Sequence, residues 1–310
     1  MRPGDGLVYC SLESLLRLQN QVRTLNLAKR HAQARHVGLH RSVFKGRGMD
    51  FAESRPYQPG DDIRTIDWRV TARSGKVHTK VFQEEREKPV LIWLDLRAPM
   101  FFATRGRFKS VVAAEVAGLL IWKTMSEGDR AGGVLQQADG HLEFKPARSR
   151  ASVLGLMRAL ADATARDVSR LPPTNGTTNG ALLQESWRRL RRVAEAGSQV
   201  FVVSDFRHAS AQALQQLAMI NRQAQVTLVS VRDPLEEQLP PQGVLRVTDG
   251  KKGLWVNLKH AIWRRDYHER QRQAQVSLQE FSRKHRIPLI SLSTRDTVTE
   301  RLLKLVRGMR

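Results

Sequence analysis

The sequence predicts an α/β protein, with a doubly wound, mainly parallel sheet over residues 89–310 and an N-terminal helical and β segment over 1–88. Three observations predict it. Residues 90–95, 199–204 and 225–231 are short apolar runs rich in Val, Ile and Leu, the composition of strands buried on both faces. Helical patterns separate them, which is the alternation of βαβ units. Two of the runs lead into an aspartate, Asp95 and Asp205, and such a sheet carries strand ends to one edge, where ligands bind.

The elements follow in order. Residues 11–30 read as a helix: Ser11 precedes it, Glu13 lies in its first turn, and Leu15, Leu18, Val22 and Leu25 recur at helical spacing. Residues 31–60 are rich in His, Arg and Gly. Residues 55–62 read as a turn, because Pro56 and Pro59 preset φ and Gly60 permits unusual backbone. Residues 77–84 alternate like a strand. Pro89 marks the boundary to the first buried strand. Residues 107–125 form an apolar helix, and 131–137 and 141–144 a strand pair about the Asp139-Gly140 turn signal. Helices are expected at 149–163, 181–196 and 209–222, with a polar loop over 171–180. Strands follow near 244–256. A long helix over 258–285 carries Trp263, Tyr267, Ala274, Leu278 and Phe281 on one stripe, and a strand at 289–292 and a helix at 296–308 end the chain.

Composition narrows the function. The 310 residues carry 52 Lys plus Arg against 30 Asp plus Glu, a net charge of +22. No apolar run approaches the ~18 residues of a spanning helix, and the first residues lack the apolar core of a secretory signal. One cysteine makes neither an internal disulfide nor a Cys-rich zinc site. These features lead to the expectation of a cytoplasmic protein. The charge suggests a polyanionic partner, whether nucleic acid, an anionic membrane surface or an acidic protein. The excess is densest over 258–310, with 13 basic and 5 acidic residues, but no long basic run exists, and an Arg-rich composition alone gives the same balance. No phosphate-binding G-x-x-x-x-G-K-[ST] loop and no G-x-S-x-G elbow occur, so neither ATP hydrolysis nor that esterase chemistry is expected. Ser204, Asp205 and His208 have the residue types of a hydrolase triad, but closeness in sequence gives such a cluster no special meaning.

Two constellations can carry chemistry. Asp95 and Asp205 are each expected to surface at the same sheet edge, and the 175–178 loop can bring the Thr177 or Thr178 hydroxyl there. Two carboxylates and a hydroxyl are hard oxygen ligands suited to Mg²⁺ or Mn²⁺. The plainer reading makes both aspartates caps of the turns that follow. The second constellation is Asp61, Asp62, Arg64, Asp67, Trp68 and Arg73. It reads first as scaffold, with aspartates capping turns and Trp68 packing, and otherwise as a partner surface anchored by Trp and Arg.

The run from Gly48 to Arg73, GMDFAESRPYQPGDDIRTIDWRVTAR, resembles the signature of the bacterial domain of unknown function 58 family, and Val231 to Glu236 with Leu239-Pro240 resembles its later turn. The resemblance implies a von Willebrand factor A-like domain, a MoxR-type AAA+ ATPase as partner, and no catalytic activity. Such domains often carry a metal-ion-dependent adhesion site, Asp-x-Ser-x-Ser with a later Thr and Asp. Asp95, Thr177 or Thr178, and Asp205 match it. Arg97 and Pro99 stand where the two serines belong, so the site is degenerate. In one reading the Arg97 guanidinium takes the ion's place and pairs with Asp95 or Asp205. In the other it turns to solvent and a weakened site still holds Mg²⁺. The function expected is a non-enzymatic adaptor acting with the ATPase on a client protein. The alternative is a basic module that engages nucleic acid or a membrane surface.

Overall fold

The protein is described by a computed structural model over residues 4–22, 49–84, 88–104, 106–166, 176–248, 253–259 and 261–301, with side chains excepted at 49–53, 81–84 and 176–179. The expected helical residues 23–30 and 302–308, and loop residues 171–175, lie outside this set.

The contacts divide the chain into residues 1–28 with 88–310, and residues 29–87. This differs from the expected grouping of 1–88. The reason lies in the first helices, α1 (Leu12–Arg17) and α2 (Gln19–Val22). Ser11 caps α1 by accepting from the Ser14 N–H. Leu15, Leu18 and Val22 then enter the core of the sheet unit. Leu15 also accepts the Trp122 indole N–H on its carbonyl at 3.0 Å.

In the 29–87 unit, β1 (Met49–Pro56) pairs antiparallel with β2 (His78–Glu84), and α3 (Trp68–Ser74) lies between them in sequence. Asp67 caps α3 through the Arg69 and Val70 N–H groups, and Gly75 ends it at φ 68°.

The sheet unit continues with β3 (Pro89–Leu96), α4 (Lys109–Ser126), β4 (Arg130–Gln137), β5 (His141–Ala147), α5 (Arg150–Thr164), α6 (Gly176–Val193), β6 (Gln199–Ser204), α7 (Ala211–Ile220), β7 (Gln225–Arg232), α8 (Pro234–Glu237), β8 (Val244–Thr248), β9 (Gly253–Asn257), α9 (Ala261–His285) and β10 (Leu289–Ser293). The main sheet runs β10-β7-β6-β3-β4-β5. All neighbours are parallel except β4–β5. Numbered within this sheet, the order is 3-2-1-4-5-6, so the connections reverse between β3 and β6. This is a von Willebrand factor A-like, doubly wound α/β fold.

Every residue of β3 is buried, which explains its continuous apolar pattern. Side chains alternate to the two faces, so one core holds Ile92, Leu94, α4 and α5, and the other holds Leu91, Trp93, α6 and α7. Trp93 and Trp187 meet edge to face at 5.5 Å, and the Trp93 N–H donates to Ser186 Oγ at 2.8 Å. Among the described residues no helix is long and apolar enough to cross a membrane.

Candidate functional site

Asp95 is the penultimate residue of β3 and Asp205 follows β6, so both stand at the point where the strand order reverses. Asp95 is fully buried. Arg97, two residues on, turns back and clamps it. Its Nε donates to Asp95 Oδ1 at 2.9 Å and its Nη2 to Oδ2 at 2.7 Å. The Arg97 backbone N–H also donates to Oδ1, and Ser204 Oγ donates to Oδ2 at 2.7 Å. The guanidinium is as buried as its partner, 1% exposed. Burial alone would lower its pKa, but the Asp95 charge and hydrogen bonds outweigh that and hold it above its ordinary value.

Asp205 has a different partner. Lys109, the first residue of α4, donates from Nζ to Asp205 Oδ2 and to Glu236 Oε1, both at 2.7 Å. The ammonium is completely buried. Burial would raise the Asp205 pKa, yet Lys109 and then Arg207 hold it below the usual carboxylate range. Arg207 donates from its backbone N–H to Asp205 Oδ1 and from Nη1 to Glu236 Oε1 at 3.1 Å. Glu236 also closes a capping box with Asp233 at the start of α8. Asp233 in turn accepts from Thr104, Thr294 and the Leu235 N–H.

The loop after β6 is bent to deliver Arg207. Phe206 and His208 both lie in left-handed backbone, at φ 55° and 64°. Ser204 Oγ steadies the bend by accepting the Phe206 N–H at 2.9 Å. That hydroxyl serves Asp95 and the Phe206 backbone, so it is not poised as a nucleophile beside His208. Thr177 and Thr178 begin α6, and their side chains lie outside the described residues. The helix start does reach this edge, since a Cβ on Gly180 would come 3.1 Å from the His208 carbonyl oxygen.

The metal-ion reading does not fit these residues. Both Asp95 oxygens already receive cationic or hydroxyl donors, and a fixed ammonium stands between Asp205 and Glu236. Pro99 sits in a short 3₁₀ turn, Ala98–Met100, and offers no hydroxyl. Among the described residues no group of three His, Cys, Asp or Glu could hold an ion. Asp95 and Arg97 are too buried to touch a partner. What solvent meets is Arg207, His208 and Glu237, beside a cleft of about 250 Å³ that also presents Arg232, His268 and Arg272.

The second constellation lies in the 29–87 unit. Asp61 accepts from Arg55 Nη2 at 2.7 Å and from the Gln58 N–H, so it holds the turn. Asp62 caps the 3₁₀ turn Ile63–Thr65 through the Arg64 N–H. Trp68 is 69% exposed, and Arg73 is exposed on the same helix.

Sequence reasoning missed Lys109 and Glu236. Lys109 had a signal, as a basic residue beginning an otherwise apolar helix, where the helix dipole disfavours it. Glu236 sat inside a recognised turn but had no pattern linking it to Asp205.

The fold and this edge define a von Willebrand factor A-like domain whose strand-end carboxylates are held by side-chain cations. The chain belongs to the family described as protein of unknown function DUF58, whose model matches residues 53–277. It is 27% identical over 239 residues to the uncharacterized protein Rv1480 of Mycobacterium tuberculosis, covering 77% of this chain and 72% of that one. Mb1516 of Mycobacterium bovis matches equally. Among solved structures, BatB from Bacteroides thetaiotaomicron aligns over 72% of this chain and 98% of its own, with a TM-score of 0.44 and 14% identity. An aerotolerance-related membrane protein from Bacteroides fragilis aligns over 71% and 97%, with a TM-score of 0.42 and 15% identity.

Proposed function

We propose that the chain is a non-enzymatic recognition module, a degenerate metal-ion-dependent adhesion site whose ion is replaced by its own Arg97 and Lys109. The observation that carries this reading is the two-pronged Arg97–Asp95 pair buried at the sheet edge. A fixed guanidinium supplies the positive charge that an adhesion-site ion supplies elsewhere, and it needs no ion to arrive. Asp95, Arg97, Lys109 and Asp205 then act as positioning residues. They set the Phe206–His208 bend, and the bend presents Arg207 at the rim of the cleft.

The partner expected from the family resemblance is a MoxR-type AAA+ ATPase, with a client protein as the object of its work. Exposed Trp68 and Arg73 offer a second recognition surface on the other unit. The test is a nuclease-treated pull-down at low and high salt, with and without ATP and Mg²⁺. The reading expects an AAA+ ATPase retained at high salt, and reduced retention by Arg207→Ala. Loss of every protein partner at high salt, with nucleic acid recovered when nuclease is omitted, overturns it, because phosphate contacts collapse with counterion release.

A further inference from the structure

Outside the sheet edge, the β8–β9 hairpin and the first turn of α9 expose many large apolar side chains among the described residues. Six large apolar side chains are exposed here: Val244, Val247, Leu254, Trp255, Ile262 and Trp263. Leu254 and Trp255 are 67% and 66% exposed, and Ile262 is 80% exposed. A two-stranded ribbon is marginal in water unless something covers it. Its base is anchored: Leu258 is buried, its N–H donates to the Gly243 carbonyl at 2.9 Å, and Arg264 donates to the Leu258 carbonyl.

The pattern of exposure selects the cover. Directly opposed residues share a face of a ribbon. Arg246 opposes Trp255, and Val247 opposes Leu254. The first pair lies on one face and the second on the other, and both faces are exposed. A protein docked on one face would leave the other wet. The boundary between lipid headgroups and acyl chains surrounds a ribbon on both faces at once. The charge agrees. Among the described residues from 244 to 266, Arg246, Lys259, Arg264 and Arg265 are basic and Asp266 alone is acidic. Arg246 lies 5.8 Å over the Trp255 ring, so one cation and one amphipathic ring are offered together. Trp with flanking Lys and Arg is the chemistry of an anionic bilayer interface.

We propose that the β8–β9 hairpin and the start of α9 seat the protein on an anionic lipid surface, with Leu254, Trp255 and Ile262 entering the interface and the four basic side chains meeting headgroup phosphates. This attachment is independent of the sheet-edge recognition surface.

Flotation of the full chain with vesicles tests it. Vesicles of phosphatidylcholine mixed with phosphatidylglycerol should retain the protein, and pure phosphatidylcholine should retain far less. Leu254→Ser with Trp255→Ser should lower partitioning at least roughly tenfold, since burying one large apolar side chain contributes about that factor or more. Both positions are exposed, so the melting temperature should hold. Leu142→Ser, an exposed leucine on β5, should partition like the wild type. Acyl chains carrying bromine should quench wild-type tryptophan fluorescence, which requires insertion. Three results overturn the proposal: no retention by anionic vesicles, retention without quenching and without loss in the serine pair, or capture of a soluble protein or an oligonucleotide through these residues while vesicles are ignored.

Discussion

Lys109 sets the stakes at the scale of single residues. Its ammonium is sealed between two carboxylates, and removing one partner of such a buried group costs more than the pair contributes. Lys109→Met should destabilise the protein by about 3–5 kcal/mol, because Asp205 is left buried without its cation. Denaturant unfolding checks this. Adding Asp205→Asn to Lys109→Met should recover part of the loss, because the stranded charge is gone. Acid makes a related prediction. The Asp205 and Asp233 pKa values lie below their ordinary 3.8 in the folded state. For Asp205, burial opposes the shift and Lys109 outweighs it. For Asp233, burial is outweighed by hydrogen bonds from Thr104, Leu235 and Thr294. A depressed carboxylate stabilises the fold fully above its unfolded pKa and loses that contribution as pH falls through the folded one. Melting temperature should therefore hold down to about pH 4 and fall below it. Asp233→Asn should flatten that acid limb.

The elements show how far pattern reading reaches. The buried strands β3, β6 and β7 were legible from short continuous runs rich in Val, Ile and Leu, and Asp139-Gly140 marked the β4–β5 turn. The ends of α6 were not: Gly176 to Asn179 read as loop, yet the helix begins at Gly176. Gly, Thr and Asn have weak helix propensity, and helical structure there overrides it. Nor did sequence reveal that β4 and β5 approach closely at Gly132, beside a register shift. A Cβ there would stand 2.6 Å from the Phe144 carbonyl oxygen and the Pro146 nitrogen, both backbone. Gly132→Ala should therefore cost about 1–3 kcal/mol, as overpacking does. Gly155 is the counterpart. It lies inside α5 with open space around its Cα, so Gly155→Ala should stabilise by about 0.5–1 kcal/mol. Parallel melts of the two variants compare close approach with helix propensity in one protein.

Across the whole molecule, the sequence carried the architecture further than the site. Alternating strands and helices gave the doubly wound, mainly parallel sheet, though not its strand order, and they placed Asp95 and Asp205 at one edge. Arg97 could be placed beside Asp95 by its spacing of two. Which carboxylate it meets was not legible: it pairs with Asp95, while Asp205 accepts from Lys109, 96 residues away in sequence. Long-range charge pairing of this kind leaves no periodic trace. As proposed above, Arg97 and Lys109 stand in for the ion of an adhesion site. Calorimetric titration with Mg²⁺ tests it most directly, on the wild type, Arg97→Ser with Pro99→Ser, and Asp95→Asn. No binding heat is expected for the wild type, and Mg²⁺ binding is expected to be created in the double-serine variant. Stoichiometric Mg²⁺ binding by the wild type, abolished by Asp95→Asn, would contradict it.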